Sequence, residues 1–214
     1  NDVWGVDTSF AFFKNVYLAG YVAQSRTAGV SRDDVSYRAQ LDYAGDRYGL
    51  EVERLAVGED FNPEVGFVRR GDMIRNFAKA RFSPRPASLP SVRKFGWEGS
   101  VDYITDGRGR LETRERQVQF RVEFQSGDEW NIEGSDFYEF LDEPFEISDE
   151  VSIPSGGYHF RELRTMYRLG PQRKVSGFLN ASWGEFYDGD RAEVGYRGRV
   201  EITPALSLEP GLSR

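Results

Sequence analysis

Carboxylates are the side chains of this sequence that could most readily do chemistry, since Asp and Glu together number 35. Two carboxyl groups hydrolyse a glycosidic bond when their separation suits the sugar and, in inverting enzymes, a water molecule. The sequence offers many pairs but no spacing that fixes such a separation. We therefore assign no catalytic residue, and we predict that the chain is not an enzyme.

Metal and nucleophile chemistry find little support in the residue types. The chain has no Cys and a single His, so zinc sites built on Cys or on several His are excluded. Asp188-Gly189-Asp190 lacks the twelve-residue ligand spacing of a calcium loop, and its residues suit a hairpin turn. A Ser-His-Asp triad would have to use His159, and no nucleophile-elbow motif is present. We interpret His159 as structural and predict no cofactor and no metal.

One segment, 60–64, combines an aromatic ring with two carboxylates in a long predicted loop. Such groups can hold a sugar by stacking and hydrogen bonds. The alternative, which we favour, is that the loop folds inward and braces the sheet through Phe61 and Phe67, because loop function cannot be read from one sequence. The candidate carbohydrate contacts are Asp60, Phe61, Asn62 and Glu64.

The elements that must position these residues are strands, because apolar and polar residues alternate along most of the chain. Between residues 117 and 125, four apolar residues occupy one face and polar residues occupy the other, and 193–202 repeats the pattern. If the sheet encloses water, the charged faces point into it. The candidate lumen-facing residues are Gln119, Arg121, Glu123, Arg197, Arg199 and Glu201.

The pattern predicts about eleven antiparallel strands with no helix and no linker. The ranges are 4–13, 15–24, 35–43, 48–57, 73–82, 94–104, 111–125, 130–138, 157–168, 174–187 and 191–203, and a twelfth strand begins near Ala205. The two longest connections, 58–72 and 139–156, fall at the same end of such a sheet, and most turns at the other end are short. This asymmetry is typical of bacterial outer-membrane barrels, whose long loops face outward.

Net charge and hydrophobicity limit the kinds of partner that the chain can bind. The net charge of −7 argues against nucleic acid, which needs a basic surface. No apolar run approaches the roughly 20 residues of a transmembrane helix, but a barrel strand needs only about 9–11 residues.

A soluble β-sandwich would show the same alternation. Three features favour a barrel: runs of about ten residues, aromatic residues at both ends of several runs, and polar faces that carry both signs of charge.

Several segments resemble a bacterial envelope family known as domain of unknown function 5916. They are Gly5-Val-Asp-Thr-Ser-Phe-Ala-Phe-Phe13, Gly58-Glu-Asp-Phe-Asn-Pro-Glu-Val-Gly-Phe67, Phe82-Ser-Pro-Arg-Pro86, Ser182-Trp-Gly-Glu-Phe-Tyr-Asp-Gly-Asp190, and Leu141-Asp-Glu-Pro-Phe-Glu-Ile147 followed by Ile153-Pro154. Members join an N-terminal module similar to family-nine carbohydrate-binding domains to a C-terminal barrel-like region. The resemblance implies that this chain belongs to the latter, and no catalytic motif transfers with it.

Together these observations predict that 1–214 is a single region of an up-and-down outer-membrane β-barrel, cut at both ends relative to its parent. The expected location is the bacterial outer membrane, with membrane lipid as partner and carbohydrate as a further ligand. The expected role is a channel, or an anchor linked to carbohydrate binding or uptake. The alternatives are a soluble antiparallel β-sandwich that binds carbohydrate, and an accessory domain of a glycoside hydrolase.

Overall fold

A computed structural model describes residues 2–27, 29, 34–63, 68, 70–148, 151–186 and 189–214. The regular structure of these residues consists of β-strands. None of the described residues form a helix long and apolar enough to cross a membrane. The strands are β1 (Asp2–Phe12), β2 (Val16–Arg26), β3 (Val35–Ala44), β4 (Tyr48–Val57), β5 (Met73–Phe82), β6 (Val92–Asp106), β7 (Leu111–Phe124), β8 (Glu129–Leu141), β9 (Phe145–Ser148), β10 (Val151–Ile153), β11 (Gly156–Leu169), β12 (Val175–Phe186), β13 (Gly189–Thr203), β14 (Leu206–Leu208) and β15 (Gly211–Ser213).

The main sheet follows the order of the chain. Its neighbours run from β1 through β8 to β11, β12, β13 and β14, and β15 also pairs with β13. Strands β9 and β10 form a separate two-stranded sheet inside the predicted long loop 139–156. The all-β antiparallel architecture predicted from the sequence is confirmed, and β14 begins next to the expected twelfth strand.

The order of the main sheet has two ends, β1 and β14. Among the described residues no pairing joins these two strands, so no closed barrel is observed. The sequence predicts a barrel region that is cut at both ends, and its membership of an outer-membrane barrel stays a prediction. All eleven residues of β1 are exposed.

Proximity of Cα atoms divides the chain into two compact units. The first unit contains Asn1–Ala80, Ser100–Glu115 and Tyr138–Gly157, and the second contains Arg81–Gly99, Arg116–Phe137 and Tyr158–Arg214.

In the first unit, the antiparallel register lines up residues of like character across β1 to β4. One row across the four strands consists of Phe10, Leu18, Leu41 and Val52, which we call the bulky row. Because side chains alternate along a strand, the neighbouring positions point to the opposite face. That opposite face carries Tyr21, Arg38, Gln40 and Glu53, and we call it the polar face of the first unit.

The second unit repeats this separation across β11, β12 and β13. On one face Leu163 pairs with Trp183, and Leu179 pairs with Tyr196. The other face carries Arg164, Asn180, Ser182, Arg191 and Glu193, and we call it the polar face of the second unit.

Strand β11 has an irregular pattern because a histidine and an arginine lie on its otherwise apolar face. His159 and Arg161 share the parity of Leu163, and both contact the carboxylate of Asp136 on β8, at 3.1 and 3.3 Å. These contacts with Asp136 explain why the face of β11 that carries Leu163 is not uniformly apolar.

The hairpin between β1 and β2 turns at Phe13 and Lys14, which have φ of 50° and 65°. The N–H of Asn15 donates to the carbonyl of Phe12 at 3.2 Å. Two central residues with positive φ define a type I′ turn, which normally uses Asn or Gly. With strands predicted at 4–13 and 15–24, the sequence places this turn at Lys14-Asn15, one residue later than it occurs.

Burial in the described residues is inverted relative to an ordinary soluble domain. The buried apolar side chains are Ala56, Val57, Val122 and Ile153. Buried polar or charged side chains are more numerous: Ser25, Ser36, Glu53, Ser83, Thr105, Asp106, Glu112, Asp128, Glu129, Ser135 and Ser182. Large apolar side chains of nearly every long strand are exposed, Val6, Val118 and Val194 among them.

Candidate functional site: the polar faces

The polar face of the first unit carries a chain of four charged residues. Arg38 Nε donates to Glu53 Oε2 at 2.6 Å, and Arg75 Nη1 donates to Glu53 Oε1 at 2.6 Å. Arg75 also binds Asp102: its Nε donates to Oδ1 at 2.9 Å and its Nη2 donates to Oδ2 at 2.6 Å. This fork geometry is the strong form of a charge-assisted hydrogen bond. Two cations and two anions thus neutralise one another on β3, β4, β5 and β6.

Glu53 occupies the centre of this network and is 5% exposed. A buried carboxylate without partners would be strongly unfavourable, but both oxygens of Glu53 accept hydrogen bonds from guanidinium groups. Beside it, Lys79 Nζ lies 2.7 Å from Glu51, which also accepts from Gln40. The charged side chains of these networks on the polar face are therefore paired with side chains of opposite charge.

A second charged cluster in the first unit closes the turn between β6 and β7. Asp106 Oδ1 accepts from the backbone N–H groups of Arg108 and Arg110 at 3.0 and 2.7 Å. The Arg110 guanidinium contacts Asp106 at 3.2 Å and Asp142 at 2.9 Å. Because the carboxylate of Asp106 is occupied by backbone donors, we interpret this cluster as a turn brace.

Asp128 organises the corresponding turns of the second unit. It accepts from the N–H of Gly170 at 2.8 Å, from Arg173 at 2.9 and 2.5 Å, and from the hydroxyl of Tyr167 at 3.2 Å. Burial alone would raise the pKa of this carboxyl. The hydrogen bonds from Arg173, Gly170, Ser126 and Tyr167 outweigh burial and lower the pKa to about 2.

Next to Asp128, the carboxylate of Glu129 joins β7, β8 and β11. Arg121 Nη2 lies 2.6 Å from one oxygen, and Arg168 Nη2 lies 2.5 Å from the other. Glu129 is 7% exposed. The second unit thus repeats the motif of the first, in which a buried glutamate sits between two arginines from different strands.

A polar basin of about 310 Å³ lies on the polar face of the second unit. Glu162 pairs with Arg164 at 2.7 Å, and Arg191 pairs with Glu193 at 2.9 Å, each within its own strand. The remaining polar side chains of the lining are Asn131, Glu133, Thr165, Asn180 and Ser182. Such a surface can hold water and small polar solutes, but it contains no aromatic ring on which a sugar could stack.

Among the candidate carbohydrate residues of the 58–72 segment, the structure describes Asp60, Phe61 and Asn62. Phe61 is half-buried, and the N–H of Asn62 donates to the buried hydroxyl of Ser25 at 3.0 Å. Asp60 is half-buried, and Glu64 and Phe67 lie outside the described residues. The described part of the loop therefore packs back towards β2, as expected for a brace.

The candidate lumen-facing residues share faces as the alternation predicts. Gln119, Arg121 and Glu123 lie on one face of β7, and Gln119 and Arg121 contact Glu133 and Glu129 of β8. On β13, the residues Arg197, Arg199 and Glu201 share one face, and Arg197 and Arg199 lie opposite Phe178 and Ser176. That this face borders a lumen stays a prediction.

Sequence reasoning missed the central members of the networks, which are Glu53, Asp102, Asp128 and Glu129. Glu53 and Asp102 could have been identified from the alternation of their strands, because both occur on the charged face of an alternating run. Asp128 gave no such signal, since it lies in a turn and its partner Arg173 lies in another.

The described residues contain no group of three or more His, Asp or Glu side chains placed to hold a metal ion. His159 contacts Asp136 and is 42% exposed.

Comparison of the chain with protein-family models, with curated proteins and with solved structures gave no match. The resemblance to the envelope family therefore stays a prediction from its segments.

Proposed function

We propose that this chain is a non-enzymatic wall segment of a bacterial outer-membrane β-barrel, with its apolar face in lipid and its polar faces towards water. The single observation that carries the proposal is the inverted burial. Charged groups such as Glu53 and Glu129 are buried in ion-pair networks, while Val6, Val118 and Val194 are exposed.

The apolar face of the first unit supports this proposal most strongly. On one side the bulky row is bordered by the row Phe12, Val16, Tyr43 and Leu50. The exposed fraction is 53% for Phe10 and 43% for Val52. Apolar surface in water costs about 25 cal/mol per Å², and soluble proteins rarely expose contiguous apolar patches beyond a few hundred Å². Lipid removes this cost because its hydrocarbon is as apolar as the side chains.

The polar faces fit the water-filled side of such a wall. Their charges are balanced and hydrogen-bonded, and many of the arginines remain half-exposed, including Arg38, Arg121 and Arg168. Lumen walls of outer-membrane barrels are polar, whereas the lipid side is apolar. A channel, or an anchor for a carbohydrate-binding module as the family resemblance implies, is the role that this arrangement suits.

The inverted burial fits a soluble β-sandwich less well than a membrane barrel. A sandwich packs the apolar faces of two sheets together. In the described residues, Leu18, Leu50 and Val52 of the main sheet stay exposed. No aromatic residue lines the polar basin of the second unit, which disfavours a sugar site there.

Flotation with lipid vesicles tests the proposal. The purified chain is folded in the presence of phospholipid vesicles and centrifuged through a density gradient. We expect it to float with the lipid and to stay bound after washing with high salt and alkaline carbonate, because apolar contacts are insensitive to both. Recovery of a folded, monodisperse chain at the bottom of the gradient would favour the soluble alternative.

A further inference from the structure

A groove of about 550 Å³ crosses the apolar face of the first unit. The bulky row forms one wall, and the adjacent row, which forms the floor, contains Thr8, Gly20 and Ala39. The pairings Thr8–Gly20 and Gly20–Ala39 place these small side chains side by side on consecutive strands. The floor therefore runs perpendicular to the strands.

Arg54 occupies the end of the groove. It pairs with Ala39 across β3 and β4 and therefore continues the floor row. Its Nε donates to the Tyr37 hydroxyl at 3.0 Å, and its Nη1 donates to Asn76 Oδ1 at 2.6 Å. Both acceptors are uncharged. In contrast to Arg38 and Arg75 on the opposite face, Arg54 has no carboxylate partner among the described residues.

A cation on this face needs an explanation. An arginine on the lipid side of a barrel is unfavourable, most strongly at mid-bilayer and less so near the interface. A phosphate removes this cost, because guanidinium groups bind phosphate oxygens through charge-assisted hydrogen bonds. Tyr37 and Asn76 hold the guanidinium at the mouth of the groove.

The dimensions of the groove suit one acyl chain. Four strands separated by about 4.8 Å give a floor about 14 Å long. Barrel strands tilt by about 35–45°, so a row that crosses them runs obliquely through the bilayer. A chain lying in the groove can therefore begin at headgroup level beside Arg54 and end among the apolar residues of β1.

We propose that this groove binds one anionic phospholipid of the surrounding membrane, with its phosphate on Arg54 and one acyl chain over Gly20 and Ala39. The inference rests on the proposed lipid contact of this face. It adds a specific headgroup class and a specific position.

Native mass spectrometry of the full chain in an uncharged detergent tests the site. Phosphatidylglycerol and phosphatidylcholine with identical acyl chains are titrated separately. We expect one phosphatidylglycerol to bind more tightly than phosphatidylcholine. Arg54→Gln should weaken phosphatidylglycerol binding about tenfold or more and leave phosphatidylcholine binding unchanged. Ala39→Leu fills the floor and should weaken both.

Arg161→Gln is the matched control, because Arg161 lies on the same face of β11 as Leu163, in the second unit, and is 73% exposed. It removes one positive charge without touching the groove and should bind both lipids as the unchanged chain does. Circular dichroism confirms that each variant retains its β-structure.

Equal binding of the two lipids by the unchanged chain, or unchanged phosphatidylglycerol binding by both groove variants, would overturn the site. Loss of self-association in Ala39→Leu with unaffected lipid binding would assign the groove to a second copy of the chain instead. Vesicle flotation without headgroup preference would reject the groove alone, while preference in detergent without flotation would reject the membrane proposal alone.

Discussion

Asp128 shows how much one side chain can contribute to joining two turns. It is 5% exposed, and its pKa is lowered to about 2 from an ordinary value of 3.8. A carboxyl whose pKa is lower in the folded state than in the unfolded state stabilises the fold at pH values above its unfolded-state pKa. This contribution is lost as the pH falls through the folded-state pKa. Between pH 4 and pH 2 the free energy of unfolding should therefore fall by about 1–2 kcal/mol through this group.

Asp128→Asn should lower the free energy of unfolding at pH 7 and remove this part of the acid dependence, measured by urea titration in detergent at several pH values. The control is Asp46→Asn, because Asp46 holds the same place in the similar turn Ala44-Gly45-Asp46-Arg47 and is exposed. If Asp128→Asn and Asp46→Asn give the same profile, the network around Asp128 does not stabilise the fold.

Neighbouring residues of β7 test the assignment of its faces. Phe120 stacks on Phe95 with ring centroids 5.9 Å apart and contacts Trp97 in a tilted arrangement at 5.3 Å, whereas Gln119 contacts Glu133. Phe120→Arg should cost roughly 2–4 kcal/mol of folding free energy in lipid. Gln119→Arg should cost little, because Glu133 accepts the new cation. Urea titrations of the two variants in vesicles make the comparison, and equal costs would contradict the assignment.

At the scale of elements, the hairpin between β1 and β2 contains strain that its sequence does not relieve. Phe13 and Lys14 adopt positive φ, which costs a residue other than Gly or Asn of order 1 kcal/mol or more. The double variant that combines Phe13→Asn with Lys14→Gly should raise the free energy of unfolding by about 1–2 kcal/mol.

Phe13 is 91% exposed, so the double variant loses little packing. Phe13→Ala alone serves as control, because alanine still has to adopt positive φ and should give no gain. The measurement is urea unfolding of the unchanged chain and the two variants. A stability gain in Phe13→Ala equal to that of the double variant would show that the turn strain is not the cause.

The strands were the most predictable feature of the molecule, because alternation reports directly on a two-faced sheet. All eleven predicted strands occur, and their boundaries differ by at most three residues. Strands β9 and β10 were missed because they are only four and three residues long, which is too short for a periodic signal. Closure of a sheet into a barrel could not be predicted in the same way, because pairing of the two end strands leaves no pattern within any single strand.

The functional residues were less predictable than the strands. Faces follow from parity, so the sides of Gln119 and Arg197 could be assigned from sequence. The ion-pair partner of a residue depends on the register between strands. The binding of both Arg38 and Arg75 to Glu53 could therefore not be predicted from sequence. The loop candidates for sugar binding stay a prediction. The contact between Asn62 of this loop and Ser25, which is distant in sequence, could not be predicted from alternation either.

At the scale of the whole molecule, the central claim is that the two faces of the sheet meet different solvents. Leu41 and Gln40 are neighbours on β3 with opposite faces, and their register to β4 places them beside Val52 and Glu53. The chain contains no native cysteine, so each position can carry a single probe without background.

The most direct test labels Leu41→Cys and Gln40→Cys with a polarity-sensitive fluorophore and folds each chain into vesicles that contain phospholipids brominated on their acyl chains. We expect blue-shifted emission quenched by the bromine atoms at position 41. At position 40 we expect red-shifted emission that is quenched by iodide from the aqueous phase and not by the brominated lipid. Water-like emission at both positions, or bromine quenching at both, would contradict the division into a lipid face and a polar face.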